Sequence, residues 1–147
     1  MTYMPIAKVH RISAVAPDDV SGIEMAVTQG RIDPKGVVAV LGKTEGNGLV
    51  NDFSRGLATT SLNLLFRRYL PAEAADSICL VMSGGTEGGM APHWVVFERG
   101  EGAAGASPSL AIGRAHTPAL PPEHLGRVAE LEQVAAGVRA AMKDAGI

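Results

Sequence analysis

The sequence predicts an α/β fold of the α+β kind: a four-stranded mixed or mainly antiparallel sheet with two longer helices packed on one face. Three observations carry the prediction. Two apolar runs, residues 37–41 and 78–82, each end abruptly in a glycine-rich turn, as strands buried on both faces do. Residues 93–98, with Trp94, Val95, Val96 and Phe97 in succession, read as another strand. Two longer stretches, from about Phe53 to Tyr69 and from Pro121 to about Asp144, carry apolar residues at helical spacing.

The chain has 147 residues, a length that suits one domain, 1–147, with a real core. The net charge of −2 supplies no global basic field for nucleic acid. Aromatic residues make up 4%, too few for a base-stacking platform. The single cysteine, Cys79, lies in an apolar run and reads as a small buried side chain. No intramolecular disulfide is possible, which fits a reducing cytoplasm. No signal peptide and no apolar run of membrane-spanning length is present, so no membrane partner is expected.

Taken in order, residues 4–15 read as a first strand, with Ile6, Val9 and Ile12 among its apolar positions. Pro17-Asp18-Asp19 offers a helix start and Gly30 a stop. Between them Val20, Ile23, Met25, Ala26 and Val27 support a short amphipathic helix. Asp33-Pro34-Lys35-Gly36 is a turn, and the 37–41 strand follows. Asn51-Asp52 can cap the next helix, whose apolar stripe is Leu57, Ala58, Leu62, Leu65 and Tyr69. The 78–82 and 93–98 strands could pair as a hairpin across the glycine turn between them. Residues 100–108 read as a loop and 109–115 as a last strand. The final helix has Leu125, Val128, Leu131, Ala135, Val138 and Met142 on its apolar side.

The turns carry the chemistry. Ser83-Gly84-Gly85-Thr86-Glu87-Gly88-Gly89 presents a hydroxyl where strand becomes turn, and its glycines open the backbone N–H groups to a close ligand. Taken alone, this stretch reads equally as a tight connection with an incidental serine. The run ending in Gly42-Lys43-Thr44-Glu45-Gly46-Asn47-Gly48 repeats the design, because Thr-Glu-Gly recurs at 44–46 and 86–88. If both strands lie in one sheet, Lys43 and Ser83 emerge at the same edge. A serine beside a neutral lysine is a nucleophile–base pair.

Other readings of these residues fail or stay open. A phosphate loop needs a glycine where Val37 stands. The four histidines, His10, His93, His116 and His124, lack metal-ligand spacing, so no metal and no cofactor is expected. Glu45 and Glu87 occupy matching turn positions, where they could be a carboxylate pair but read rather as turn-capping or Arg-pairing groups. Arg55 lies in the first turn of its helix, where the dipole disfavours a cation. It either reaches solvent or points at an anion or a polarised carbonyl.

Residues 42–48, Asn51-Asp52, Arg55, residues 83–88 and Pro92-His93 together resemble the first, N-terminal repeat unit of the ring-opening amidohydrolases. That family acts on cyclic imides such as cyanuric acid and, in barbiturase, barbituric acid. The resemblance covers nearly the whole chain. It implies three copies of one α/β unit around a pseudo-threefold axis, each supplying a lysine, a serine and an arginine. By that resemblance Lys43 and Ser83 are the catalytic pair, and Arg55, Ser83 and Gly84 bind the substrate. This chain holds one unit, so the resemblance further implies a homotrimer, like the small trimers of chorismate-mutase-like folds. In the fused proteins the attacking serine is generally assigned to the second unit, and the first mainly binds and orients the ring. A non-catalytic unit that folds, trimerises and only binds the ring is the alternative.

Overall fold

The computed structural model describes residues 3–85, 88–103 and 111–147. Its strands are β1 (Tyr3–Ser13), β2 (Val37–Lys43), β3 (Cys79–Ser83) and β4 (His93–Ala103). Its helices are α1 (Ser21–Thr28), α2 (Ser54–Phe66), α3 (Ala72–Asp76) and α4 (Val128–Asp144). The chain divides into two compact units, Ala7–Gly100 and a second that joins Met1–Ile6 with Glu101–Ile147.

The four strands form one mixed sheet in the order β1-β4-β2-β3. β2 pairs parallel with β3 and antiparallel with β4. A parallel pair requires a crossover, and here α2 and α3 supply it. The expected hairpin between residues 78–82 and 93–98 therefore does not form: β2, apolar along most of its length, takes the central place between them. The sheet remains four-stranded because residues 111–115, expected in a last strand, have no regular structure. β4 instead runs through residues 100–103, which were expected in a loop. Residues 104–110, which carry the rest of both expectations, lie outside the described residues.

In the Ala7–Gly100 unit the core lies on one side of the sheet. Val40, Trp94 and Val96 from the strands meet Ala58, Leu62, Leu65 and Phe66 of α2 and Ile23 and Ala26 of α1, all at most 1% exposed. The α2 stripe runs Ser54, Ala58, Leu62, Leu65, Phe66, the i, i+4, i+8 face of a 3.6-residue period. Leu57 sits off that face and is exposed, contrary to the expected stripe. At Gly42 an added Cβ would meet the sulfur of Met82 and the ring of Trp94 within 2.6 Å. The glycine before the lysine is thus a packing necessity, since Met82, Gly42 and Trp94 are register partners across three strands. The other face of β2 and β3 stays open, with Leu41 41% and Val81 56% exposed.

In the second unit α4 begins later than expected from Pro121. Pro122–His124 forms only a 3-10 turn, and Gly126 then takes φ of 69°, outside the helical region. The Gly126 N–H donates to Glu130 Oε2 at 2.5 Å, so a first-turn carboxylate reaches back to the residue before the N-cap Arg127. None of the residues of α4 is buried.

Candidate active site

Lys43 and Ser83 are the last residues of β2 and β3, and the parallel register makes them direct partners. Side chains at paired positions share a face of the sheet, so both point away from the Trp94 core. Lys43 Nζ donates to Ser83 Oγ at 2.8 Å and to the Gly84 carbonyl at 3.2 Å. The Thr-Glu-Gly repeat aligns Lys43 with Gly85, but the sheet pairs it two residues earlier, with the serine. His93 is the antiparallel partner of Lys43, which makes Ser83, Lys43 and His93 one row across three strands. The His93 ring nitrogen Nδ1 lies 2.8 Å from the Ala91 carbonyl. A carbonyl only accepts, so Nδ1 is the donor in this contact.

The two turns beyond these residues are tied together. The Thr44 N–H donates to the Ser83 carbonyl at 3.0 Å, and the Gly85 N–H donates to the Gly46 carbonyl. The buried Thr44 hydroxyl lies 2.8 Å from the Ser54 hydroxyl. Gly48 and Gly85 take φ of 72° and 78°, and a Cβ on Gly48 would stand 3.1 Å from the Gly85 Cα. Glycine at both positions lets the turns touch. Glu45 takes φ of 56° without being glycine, an uncommon backbone state. Its matching residue Glu87, with Thr86, lies outside the described residues.

Arg55 does not simply reach into solvent. Its guanidinium donates to the Leu49 carbonyl at 2.6 Å, and its Nε lies 3.4 Å from Asp52 Oδ2. Asp52 was expected only as a cap, and it does accept from the Ser54 N–H at 3.0 Å. It also accepts from the Ser54 hydroxyl at 2.5 Å and from the Gly48 N–H at 2.8 Å, with its side chain 1% exposed. The Ser54 hydroxyl foremost, then the Gly48 and Ser54 amides and the Arg55 charge, hold its carboxyl below the ordinary value of 3.8 against the opposing effect of burial. The sequence signal for this role was the Asp52-Phe53-Ser54-Arg55 spacing, which puts a carboxylate, a hydroxyl and a guanidinium at one helix start.

Geometry alone makes this edge a hydroxyl held by an amine nitrogen beside exposed turn backbone, an arrangement suited to attack on a carbonyl. Among the described residues no group of three or more His, Cys, Asp or Glu side chains could hold a metal ion. No helix among them is long and apolar enough to cross a membrane.

Residues 8–147 match the model of the amidohydrolase ring-opening protein family. The cyanuric acid amidohydrolase of Azorhizobium caulinodans is 63% identical over 145 residues, which cover 98% of this chain and 40% of the relative. A crystal structure of cyanuric acid hydrolase from A. caulinodans superposes with a TM-score of 0.90 at 61% identity, covering 98% of this chain and 40% of that one. A second cyanuric acid hydrolase structure, described as evolutionary innovation by structural concatenation, gives a TM-score of 0.88 at 41% identity, with 98% and 41% covered. The chain thus spans about two fifths of the length of the relatives it matches.

Proposed function

Because the chain belongs to the ring-opening amidohydrolase family, we propose that it is one repeat unit, 1–147, of a cytoplasmic hydrolase that opens the s-triazine ring of cyanuric acid to carboxybiuret. The single observation that supports this most is the 2.8 Å contact between Lys43 Nζ and Ser83 Oγ inside one unit. In the reaction, neutral Lys43 takes the hydroxyl proton of Ser83 as Oγ bonds to a ring carbonyl carbon. Backbone N–H groups at Ser83 and Gly84 stabilise the oxyanion. The bond from that carbon to the ring nitrogen breaks, and the nitrogen collects the proton from Lys43. Water then attacks the acyl–serine ester, releasing carboxybiuret and restoring the hydroxyl. Arg55 binds the ring through oriented donors, since ionised cyanurate carries negative charge.

Cyanuric acid has three equivalent carbonyls, which a threefold arrangement of Arg55, Ser83 and Gly84 can meet together; barbituric acid, the substrate of barbiturase, lacks that symmetry. Full activity therefore takes three units, supplied by a homotrimer of this chain in place of the fusion. Relatives that are about two and a half times longer support the need for further units. They also favour the second reading, a unit that binds the ring without turning it over. The deciding experiment is light scattering together with cyanuric acid turnover by this chain. A trimer whose turnover vanishes with Ser83→Ala supports the enzyme; a trimer that binds cyanurate without carboxybiuret release supports the binding unit.

A further inference from the structure

We infer that Asp52 is a positioning residue that sets the substrate-binding arginine and the serine turn through one buried carboxylate. Three segments of the chain converge on it. From the turn after β2 comes the Gly48 N–H, 2.8 Å from Oδ2. From the start of α2 come Ser54, which donates through both N–H and hydroxyl to Oδ1, and Arg55, whose Nε lies 3.4 Å from Oδ2. From the turn after β3 comes Gly84, which packs so closely on the carboxylate that a Cβ there would collide with Oδ2 and stand 2.8 Å from the Gly46 carbonyl. Gly46 is closed in the same way, because a Cβ on it would collide with Oδ1 and the Ser54 hydroxyl.

The consequence is geometric. Lys43 Nζ reads the position of Gly84 through its carbonyl at 3.2 Å, and Gly84 rests on Asp52. Arg55 is oriented by Asp52 on one side and the Leu49 carbonyl on the other. A shift of the carboxylate therefore moves the arginine and the serine turn together. Only an acceptor can serve all these partners at once, since Ser54 Oγ, both amides and Arg55 are donors. The side chain is 1% exposed, so it acts on the ring only through the groups it holds. This role rests on the reading of Arg55 and Gly84 as ring-binding groups.

Asp52→Asn tests it in the full chain, because the amide keeps the shape and one acceptor oxygen but loses the charge and turns a donor toward donors. The probe is cyanuric acid, titrated by calorimetry, with Asp76→Asn as a control that breaks the ion pair to Arg67. Asp52→Asn is expected to weaken cyanurate binding about tenfold, as loss of a charge-assisted contact does. Asp76→Asn should change it less than about twofold. Asp52→Asn should cost less in an Arg55→Ala background than it does alone, because part of its effect runs through that guanidinium and only the remainder through the serine turn. Binding by Asp52→Asn within twofold of wild type, or effects of Asp52 and Arg55 that multiply, would overturn the positioning role. If the wild-type chain binds no cyanurate, the functional reading fails separately. Amide NMR then decides the positioning role: Asp52→Asn must move the Gly84 and Gly85 N–H and Arg55 Nε–H resonances beyond the spread of remote amides. Unmoved resonances end it. A variant that fails to fold is replaced in both measurements by Asp52→Glu, which keeps the charge and displaces the oxygens.

Discussion

Ser83 and Lys43 stand at strand ends, where a side chain can change while the ladder stays paired. Ser83→Ala removes one hydroxyl from an exposed position and should shift Tm by no more than about 2 °C. It should abolish ring opening, measured as carboxybiuret formation. Arg55→Ala should leave kcat nearer to wild type and raise the Kd for cyanurate about tenfold, because it deletes donors rather than the nucleophile. The Asp52 carboxyl adds a pH dependence whose sign is fixed. Its folded pKa is depressed below 3.8, so its stabilisation is present above the unfolded value and disappears as pH falls through the folded one. Asp19, held low foremost by the Ser21 hydroxyl, and Asp76, held low foremost by Arg67, act in the same direction. Urea midpoints should therefore fall as pH drops below 3.8, and Asp52→Asn should flatten that slope.

At the scale of elements, the crossover β2–α2–α3–β3 brings both turns to one edge, and within β2 it is closely packed at Gly42. Gly42→Ala places a methyl against Trp94 and Met82 and should cost about 1–3 kcal/mol by urea unfolding. Leu62→Ala empties a fully buried site on α2 and should cost about 2–5 kcal/mol. The apolar runs at 37–41 and 78–82 made β2 and β3 legible, and the recurrent Thr-Glu-Gly made their common edge legible. Strand order was not, because an apolar run reveals burial but not its neighbours; β2 rather than β4 beside β3 depended on which run fills the centre. The start of α4 was misplaced because Pro121-Pro122-Glu123 also suits a 3-10 turn, and the later Gly126 decided it. Asp52 was legible as a cap, but its contact with Gly84 joins residues far apart in sequence, and no local period reports such a contact.

At the scale of the whole molecule, apolar surface remains bare. Leu41 and Val81 on the open face of the sheet, and Val128, Leu131, Val138 and Met142 on α4, are each at least 41% exposed. The apolar side of α4 expected from its spacing is present and uncovered, with a recess of about 450 Å³ lined by Val128, Leu131 and Val134 among others. Exposed apolar patches of this kind favour association. Val81→Lys puts a charge on the open sheet face without touching the core. It should shift the assembly toward monomer in light scattering at micromolar concentration while leaving the circular dichroism spectrum unchanged.

The pairing of Lys43 with Ser83 inside one copy of the chain also dictates how damaged copies behave when mixed. Had each lysine served the serine of its neighbour, a blend of Lys43→Met and Ser83→Ala chains would regenerate some intact pairs. With both partners on adjacent strands of the same copy, every pair in the blend lacks one member. The two inactive alleles, expressed together, should fail to complement each other.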